Sequence, residues 1–198
     1  MSSKSPLESV CVEDNTIEIS SDLTTRLYTE GVSTCFGIII KGSIYDHQFV
    51  LLHHWSGFQP SDISFWKRSP DKEISNLASQ YRTEIEKHFN VSLDDLEFSS
   101  SEDDEVDEEE IPILLHEIYI IGGQKRDNYI FGTESEAKAL HDHLEQELRD
   151  QDFNLDSCDF NCSFFTTAGL QSLTLYCGLR QDLEIKFDHG VTNTLSNS

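Results

Sequence analysis

The chain has 198 residues, of which 14 are basic and 37 acidic, and its formal net charge is −23. Binding to nucleic acids and to anionic membranes depends on cationic side chains that neutralise phosphates, so this charge argues against both kinds of partner. A protein with a basic or neutral face is the expected partner. No stretch approaches 18 consecutive apolar residues, so no transmembrane helix is expected. Five cysteines without a CxxC pair indicate reduced thiols in the cytoplasm.

The length and the distribution of polar residues predict one folded domain over residues 17–189. A flexible leader is predicted over residues 1–16 and a flexible tail over residues 190–198. Residues 98–111 are predicted to be a disordered acidic insert, because eight of the nine positions 102–110 are acidic and repel one another. The alternative for this insert is an electrostatic arm that recognises a basic partner.

A β-hairpin is predicted near the start of the domain. The segment "RLYT" indicates a short strand, and two apolar runs follow it, Phe36–Ile40 and Phe49–Leu52. The first run is rich in β-branched residues, and Gly42 and Asp46 lie between the two runs as turn formers.

Two helices and several further strands are predicted after the hairpin. Helical spacing places seven side chains on one face: Ile74, Leu77, Ala78, Tyr81, Ile85, His88 and Phe89. The run "IPILLHEIYIIGG" indicates a buried strand. Thr133 and Glu136 have the spacing of a capping box at the start of a second helix, whose apolar stripe comprises Ala137, Leu140, Leu144 and Leu148. The pieces "CSFFTT", "SLTLYCGL" and "LEIKF" indicate short strands, and the order β-β-α-β-α-β-β-β predicts an α/β sandwich.

Cys35 is the strongest candidate for a catalytic residue, because it lies at the start of the first hairpin strand rather than in its middle. The second strand returns His53 and His54 toward the same end, and an imidazole is the usual group that generates a thiolate. Successive strand residues face opposite sides, so only one of the two histidines can share the face of Cys35, and the sequence leaves open which one. The backbone N–H groups of Thr34 and Cys35 could hold an oxyanion. The alternative is a cysteine that only packs in the core.

No metal or organic cofactor is predicted. His141 and His143 project about 200° apart on the predicted helix, and Cys158 and Cys162 lack a second ligand pair. Cys11 is assigned to the leader and Cys177 to the core. Motifs for nucleotide binding and for serine hydrolases are missing from the sequence.

The pattern Thr29, Cys35 and a histidine 18 or 19 positions later resembles the Thr-Cys-His site of the CheD chemoreceptor glutamine deamidases. The catalytic domains of cytotoxic necrotizing factor and Burkholderia lethal factor toxins share that site. "VSTC" stands where these families have "GSC" or "LSGC", and "EIYIIGGQ" is similar to the CheD strand that ends in Gly-Gly. "FGTESEAKALHDHLEQE" is similar to the helix after it. The resemblance covers residues 22–189.

The resemblance implies an α+β domain with a central, mostly antiparallel sheet or sandwich and two main helices. It further implies a monomeric protein glutamine deamidase whose catalytic residues are Cys35, His53 or His54, and Thr29. The substrate would be a protein that carries a reactive glutamine. The enzyme would act in the cytoplasm, or inside a host cell as a secreted effector or toxin.

Two departures from the family motivate a different interpretation, a catalytically inactive protein-binding module with a CheD-like fold. Thr34 places a β-branched side chain beside the cysteine, where the family has Gly or Ser. The Gly-Gly-Asn segment before the last CheD strands is replaced by "NLDSCDFNCSFFTTAG". The two interpretations differ in the expected reactivity of the Cys35 thiol.

Overall fold

The computed structural model describes residues 7–57, 70–89, 113–123, 134–163, 172–187 and 192–195, which form eleven strands and two helices. The first five strands are β1 (Glu8–Cys11), β2 (Ile17–Ser20), β3 (Thr25–Val32), β4 (Phe36–Ile44) and β5 (His47–Trp55). Then come α1 (Pro70–Phe89), β6 (Ile113–Gly122) and α2 (Glu134–Asp150). The last strands are β7 (Phe153–Asn154), β8 (Asp159–Ser163), β9 (Leu173–Gly178), β10 (Gln181–Phe187) and β11 (Thr192–Leu195).

The strands form two sheets. One has the order β2-β5-β4-β6-β7, with β8 also paired to β6, and the other has the order β1-β3-β9-β10-β11. Most neighbours are antiparallel, and the parallel pairs are β1 with β3 and β6 with β7 and β8. The predicted fold class, a mostly antiparallel α+β sandwich with two main helices, is confirmed.

The two helices and the two sheets form three layers, and an apolar core lies between each pair of neighbouring layers. The first core joins both helices to one face of the β2-β5-β4-β6-β7 sheet, and the second joins the opposite face of that sheet to the other sheet. Strand β4 is central and buried along its whole length. In keeping with burial on both faces, its first five residues, Phe36–Ile40, form a continuous apolar run rather than an alternating one.

Both predicted helices are present, because their apolar spacing is a local signal. On α1 the buried side chains are Ile74, Leu77, Ala78, Tyr81 and Ile85. On α2 they are Leu140, Leu144 and Leu148. The predicted capping box at Thr133 and the acidic insert over residues 98–111 lie outside the described residues. Among the helices that the structure describes, neither is apolar enough along its length to cross a membrane.

The hairpin of β4 and β5 is confirmed, but its turn differs from the prediction. Gly42 lies inside β4, where a Cβ atom would come within 2.5 Å of the Leu114 carbonyl oxygen. The chain instead reverses at Tyr45 and Asp46, with Tyr45 at φ 50°. The glycine therefore permits close packing of two strands, and the prediction that it forms the turn was wrong.

The described parts of the two terminal segments, residues 7–16 and 192–195, are more ordered than predicted. The prediction of a flexible leader over residues 1–16 is wrong for most of that segment, because β1 pairs with β3 and Val12 is buried. The prediction of a flexible tail over residues 190–198 is wrong for β11, which pairs with β10. Both strands are polar or mixed in sequence and depend on pairing with distant segments, so no local pattern marks them.

Candidate active site

Cys35 lies directly before β4 at the open end of the hairpin, and its thiol is half-buried. Its backbone is fixed by the end of β6, where the Gly123 N–H donates a hydrogen bond of 3.0 Å to the Cys35 carbonyl oxygen. Gly122 has φ +121°, and a Cβ atom there would lie 2.4 Å from the same oxygen. Only glycine fits at this position, so the Gly-Gly pair sets the place of the cysteine.

The register of the hairpin decides which histidine shares the face of Cys35. Gly37 pairs with His54 and Ile38 pairs with His53. Side chains alternate along a strand, so Cys35, Gly37 and therefore His54 face the space between the two sheets.

His53 faces the opposite side of the sheet, toward the helices. Its Nδ1 lies 2.9 Å from the Tyr81 hydroxyl, and burial lowers its pKa to about 4. The structure therefore does not bring His53 to the thiol.

Thr29 on β3 reaches His54 from the other sheet. Its Oγ1 lies 2.7 Å from His54 Nδ1 and donates a hydrogen bond of 2.8 Å to the Val12 carbonyl oxygen. Since the hydroxyl proton is directed at Val12, Oγ1 accepts from His54, and this assigns the imidazole proton to Nδ1. The second nitrogen, Nε2, then carries a lone pair. It is buried, and no residue that the structure describes hydrogen-bonds to it.

Asp14 completes the cluster, and no pattern in the sequence indicated this residue. Its Oδ1 lies 3.8 Å from His54 Nε2. One donor atom each from Asp14, Cys35 and His54 all lie within 4.8 Å of one another. The Ser56 hydroxyl donates a hydrogen bond of 2.5 Å to Asp14 Oδ1 and orients the carboxylate. Among the described residues, these three donors form the group that could hold a metal ion.

The thiol and the imidazole are both neutral in this arrangement. Burial raises the pKa of Cys35, and the negative charge of Asp14 raises it further. Hydrogen bonds from the Thr34 hydroxyl and from the Ser33 and Cys35 N–H groups oppose that rise in the pKa. Burial lowers the pKa of His54, and Asp14 opposes this effect. The site therefore pairs an acid, the thiol, with an unprotonated base rather than storing a thiolate and an imidazolium.

The other chemical candidates from the sequence lie apart from this cluster. His141 and His143 are exposed on α2. Burial raises the pKa of Cys158 to about 11 and that of Cys177 to about 12, so both thiols stay protonated. Cys11 is exposed on β1. The side chain of Cys162 lies outside the described part of the chain.

No family model matches the chain, and a search of curated proteins finds no similar sequence.

Proposed function

We propose that the protein is a cysteine-dependent protein glutamine deamidase that converts a glutamine of a target protein to glutamate and ammonia. The observation that supports it most is the hydrogen-bonded order Val12 carbonyl, Thr29 hydroxyl, His54 imidazole, with the free nitrogen of His54 beside Cys35. An orienting group, a base and a nucleophile in that order are the parts of a nucleophilic hydrolase. The choice of a glutamine side chain rests on the resemblance of Thr29, Cys35 and His54 to the CheD-like site.

The first half of the reaction forms a thioester. His54 Nε2 accepts the thiol proton while Cys35 Sγ attacks the carboxamide carbon of the substrate. The developing negative oxygen is held by the backbone N–H groups of Thr34 and Cys35. The imidazolium then gives its proton to the departing nitrogen, and ammonia leaves.

The second half hydrolyses the thioester. His54 Nε2 takes a proton from water, the hydroxide attacks the thioester carbon, and the proton returns to the Cys35 sulfur. One carboxamide and one water give one carboxylate and one ammonium ion, and no metal or organic cofactor is required.

Asp14 and Thr29 both favour the charged form of His54 that exists during each step. The Asp14 carboxylate lies 3.8 Å from Nε2, and an opposite charge at that distance stabilises an imidazolium. Thr29 accepts the Nδ1 proton and keeps the ring in the tautomer that the mechanism needs. Both effects act when charge develops, which is when they accelerate the reaction.

The proposed class of substrate and the proposed cellular compartment rest on the net charge of the protein and on its resemblance to the CheD-like enzymes. The net charge of −23 favours a protein target with a basic or neutral surface over nucleic acid or an anionic membrane. We place the reaction in a cytoplasm, either that of the producing cell or that of a host reached by secretion, with the enzyme acting as a monomer.

A non-catalytic binding module is the second candidate, and the raised pKa of the Cys35 thiol is the observation that favours it. A thiol that no base activates would react slowly with an alkylating reagent, and the protein would not deamidate glutamine. The two candidates therefore differ in a measurable reaction.

Replacing Cys35 with serine should abolish deamidation. The wild-type protein and the variant are incubated with cell extracts, and glutamine-to-glutamate conversion in target peptides is counted by mass spectrometry together with released ammonia. The matched control is Cys158→Ser, which removes another half-buried thiol and should keep full activity. Equal conversion by wild type and Cys35→Ser would place the nucleophile elsewhere.

A further inference from the structure

We propose that Asp14, Cys35 and His54 form a binding site for Zn²⁺, and that zinc occupying this site blocks the Cys35 thiol. Zinc binding does not depend on the proposed reaction, whereas the inhibition that follows from it rests on that function. The site offers one sulfur, one nitrogen and one carboxylate oxygen, all within 4.8 Å of one another. Three protein ligands with an open fourth position are the arrangement of many zinc centres.

The distances fit a tetrahedral ion after a small movement. With Zn–N and Zn–O bonds near 2.0 Å and a Zn–S bond near 2.3 Å, a tetrahedron places the nitrogen and the oxygen about 3.3 Å apart and each of them about 3.5 Å from the sulfur. His54 Nε2 and Asp14 Oδ1 are 3.8 Å apart, so they must approach by about 0.5 Å to bind one ion. The Asp14 side chain is 63% exposed, so it can turn toward the ion while His54 stays fixed.

The His54 ring supplies an independent sign of a ligand. Its side chain is only 7% exposed, and its Nε2 lies in the cluster without a hydrogen-bond partner among the described residues. A buried nitrogen without a partner costs free energy unless a ligand occupies its lone pair.

The neighbours of the three ligands are those that a metal site requires. Metal-bound histidines commonly donate their other N–H to a protein oxygen, and His54 Nδ1 does so to Thr29, which Val12 holds in turn. The Ser56 hydroxyl orients Asp14.

The ligand types select the metal. Thiolate and imidazole favour Zn²⁺ over Mg²⁺ and Ca²⁺, which prefer sites made only of oxygen. The net charge of −23 raises the concentration of cations near the surface. When zinc binds, a Zn–S bond replaces the S–H bond of Cys35, and the thiol proton passes to solvent without any redox change.

The test uses Co²⁺ as a spectroscopic substitute for Zn²⁺ on the reduced full-length protein. Wild type and the Cys158→Ser control should show a cobalt–thiolate charge-transfer band with equal affinity, Zn²⁺ should displace it, and Mg²⁺ should not. Cys35→Ser should lose the band. Since loss of an outer partner of a ligand costs about 10–100-fold in affinity, Asp14→Asn, which removes a ligand, should bind at least about tenfold more weakly.

A second pair of variants tests the same site through Thr29, which is not a ligand. Thr29→Val should weaken Co²⁺ binding by about 10–100-fold, whereas Thr29→Ser, which keeps the hydroxyl, should restore it. A band that survives Cys35→Ser, or equal affinity in wild type and Asp14→Asn, would overturn the zinc site. A protein that binds Co²⁺ as described but never releases ammonia would refute the deamidase function and leave the zinc site standing.

Discussion

Replacing His54 with asparagine should lower the rate of ammonia release by about 10²–10⁴-fold, because the thiol then loses its general base. Nε2 is the base of the cluster around Cys35 and has no hydrogen-bond partner within the described part of the chain, and Thr29 fixes the tautomer of the ring. Asparagine matches the inner part of the histidine side chain, out to the position of Nδ1, and lacks Nε2, so the sheet packing around position 54 should survive. The rate is measured by a coupled ammonia assay on the target protein near neutral pH.

The matched control for this variant is the neighbouring histidine. His53→Gln changes a residue of the same type one position earlier, on the face that packs against Tyr81. It should retain the wild-type rate while it remains folded. If instead His53→Gln abolished ammonia release and His54→Asn did not, the assignment of the base to the face between the sheets would be wrong.

Replacing Gly122 with alanine should lower the free energy of unfolding by about 2–6 kcal/mol. Alanine at φ +121° is strained, at a cost of about 1–3 kcal/mol. The added methyl group would lie 2.4 Å from the Cys35 carbonyl oxygen, and this overpacking adds about 1–3 kcal/mol. The chain can relieve the clash only by moving Cys35 away from the end of β6, so deamidation should fall as well. Urea denaturation gives the unfolding free energy.

Gly31 provides the control for this substitution. It has φ +76°, but a Cβ atom there would have nothing within 4 Å. Gly31→Ala therefore carries the strain without the clash and should lose about 1–3 kcal/mol less than Gly122→Ala. Equal losses in both variants would show that the approach of Gly122 to Cys35 is not tight.

The parts of the fold that the sequence predicted are those encoded by local patterns. The apolar face of α1 and the stripe of α2 repeat at helical spacing, and β4, β5 and β6 are apolar runs with recognisable ends. Strands β1 and β11 are short and pair with distant segments, so their sequences resemble loops.

The sequence predicted only those residues of the candidate site that a local pattern marks. Cys35 and the two histidines were found because the hairpin is local, but the choice between His53 and His54 depends on a register set at Tyr45. A shift of one residue would exchange their faces. Asp14 reaches the site only because the segment after β1 runs beside β5, which is a tertiary contact. No spacing in the sequence marks it.

In the proposed mechanism His54 takes the proton of the Cys35 thiol, and the alkylation rate of Cys35 across pH tests this step without any knowledge of the substrate. Iodoacetamide labelling of the Cys35 peptide is followed by mass spectrometry from about pH 5 to pH 10, a range that spans the ordinary pKa values of histidine and cysteine. In the metal-free wild type the rate should rise once as His54 loses its proton, below its ordinary value of 6.5, since burial lowers this pKa. It should rise again above pH 9 as the thiol itself ionises, since burial raises that pKa. His54→Asn should lose the first rise and keep the second. A single rise above pH 9 in both proteins would show that His54 is not the base that takes the thiol proton.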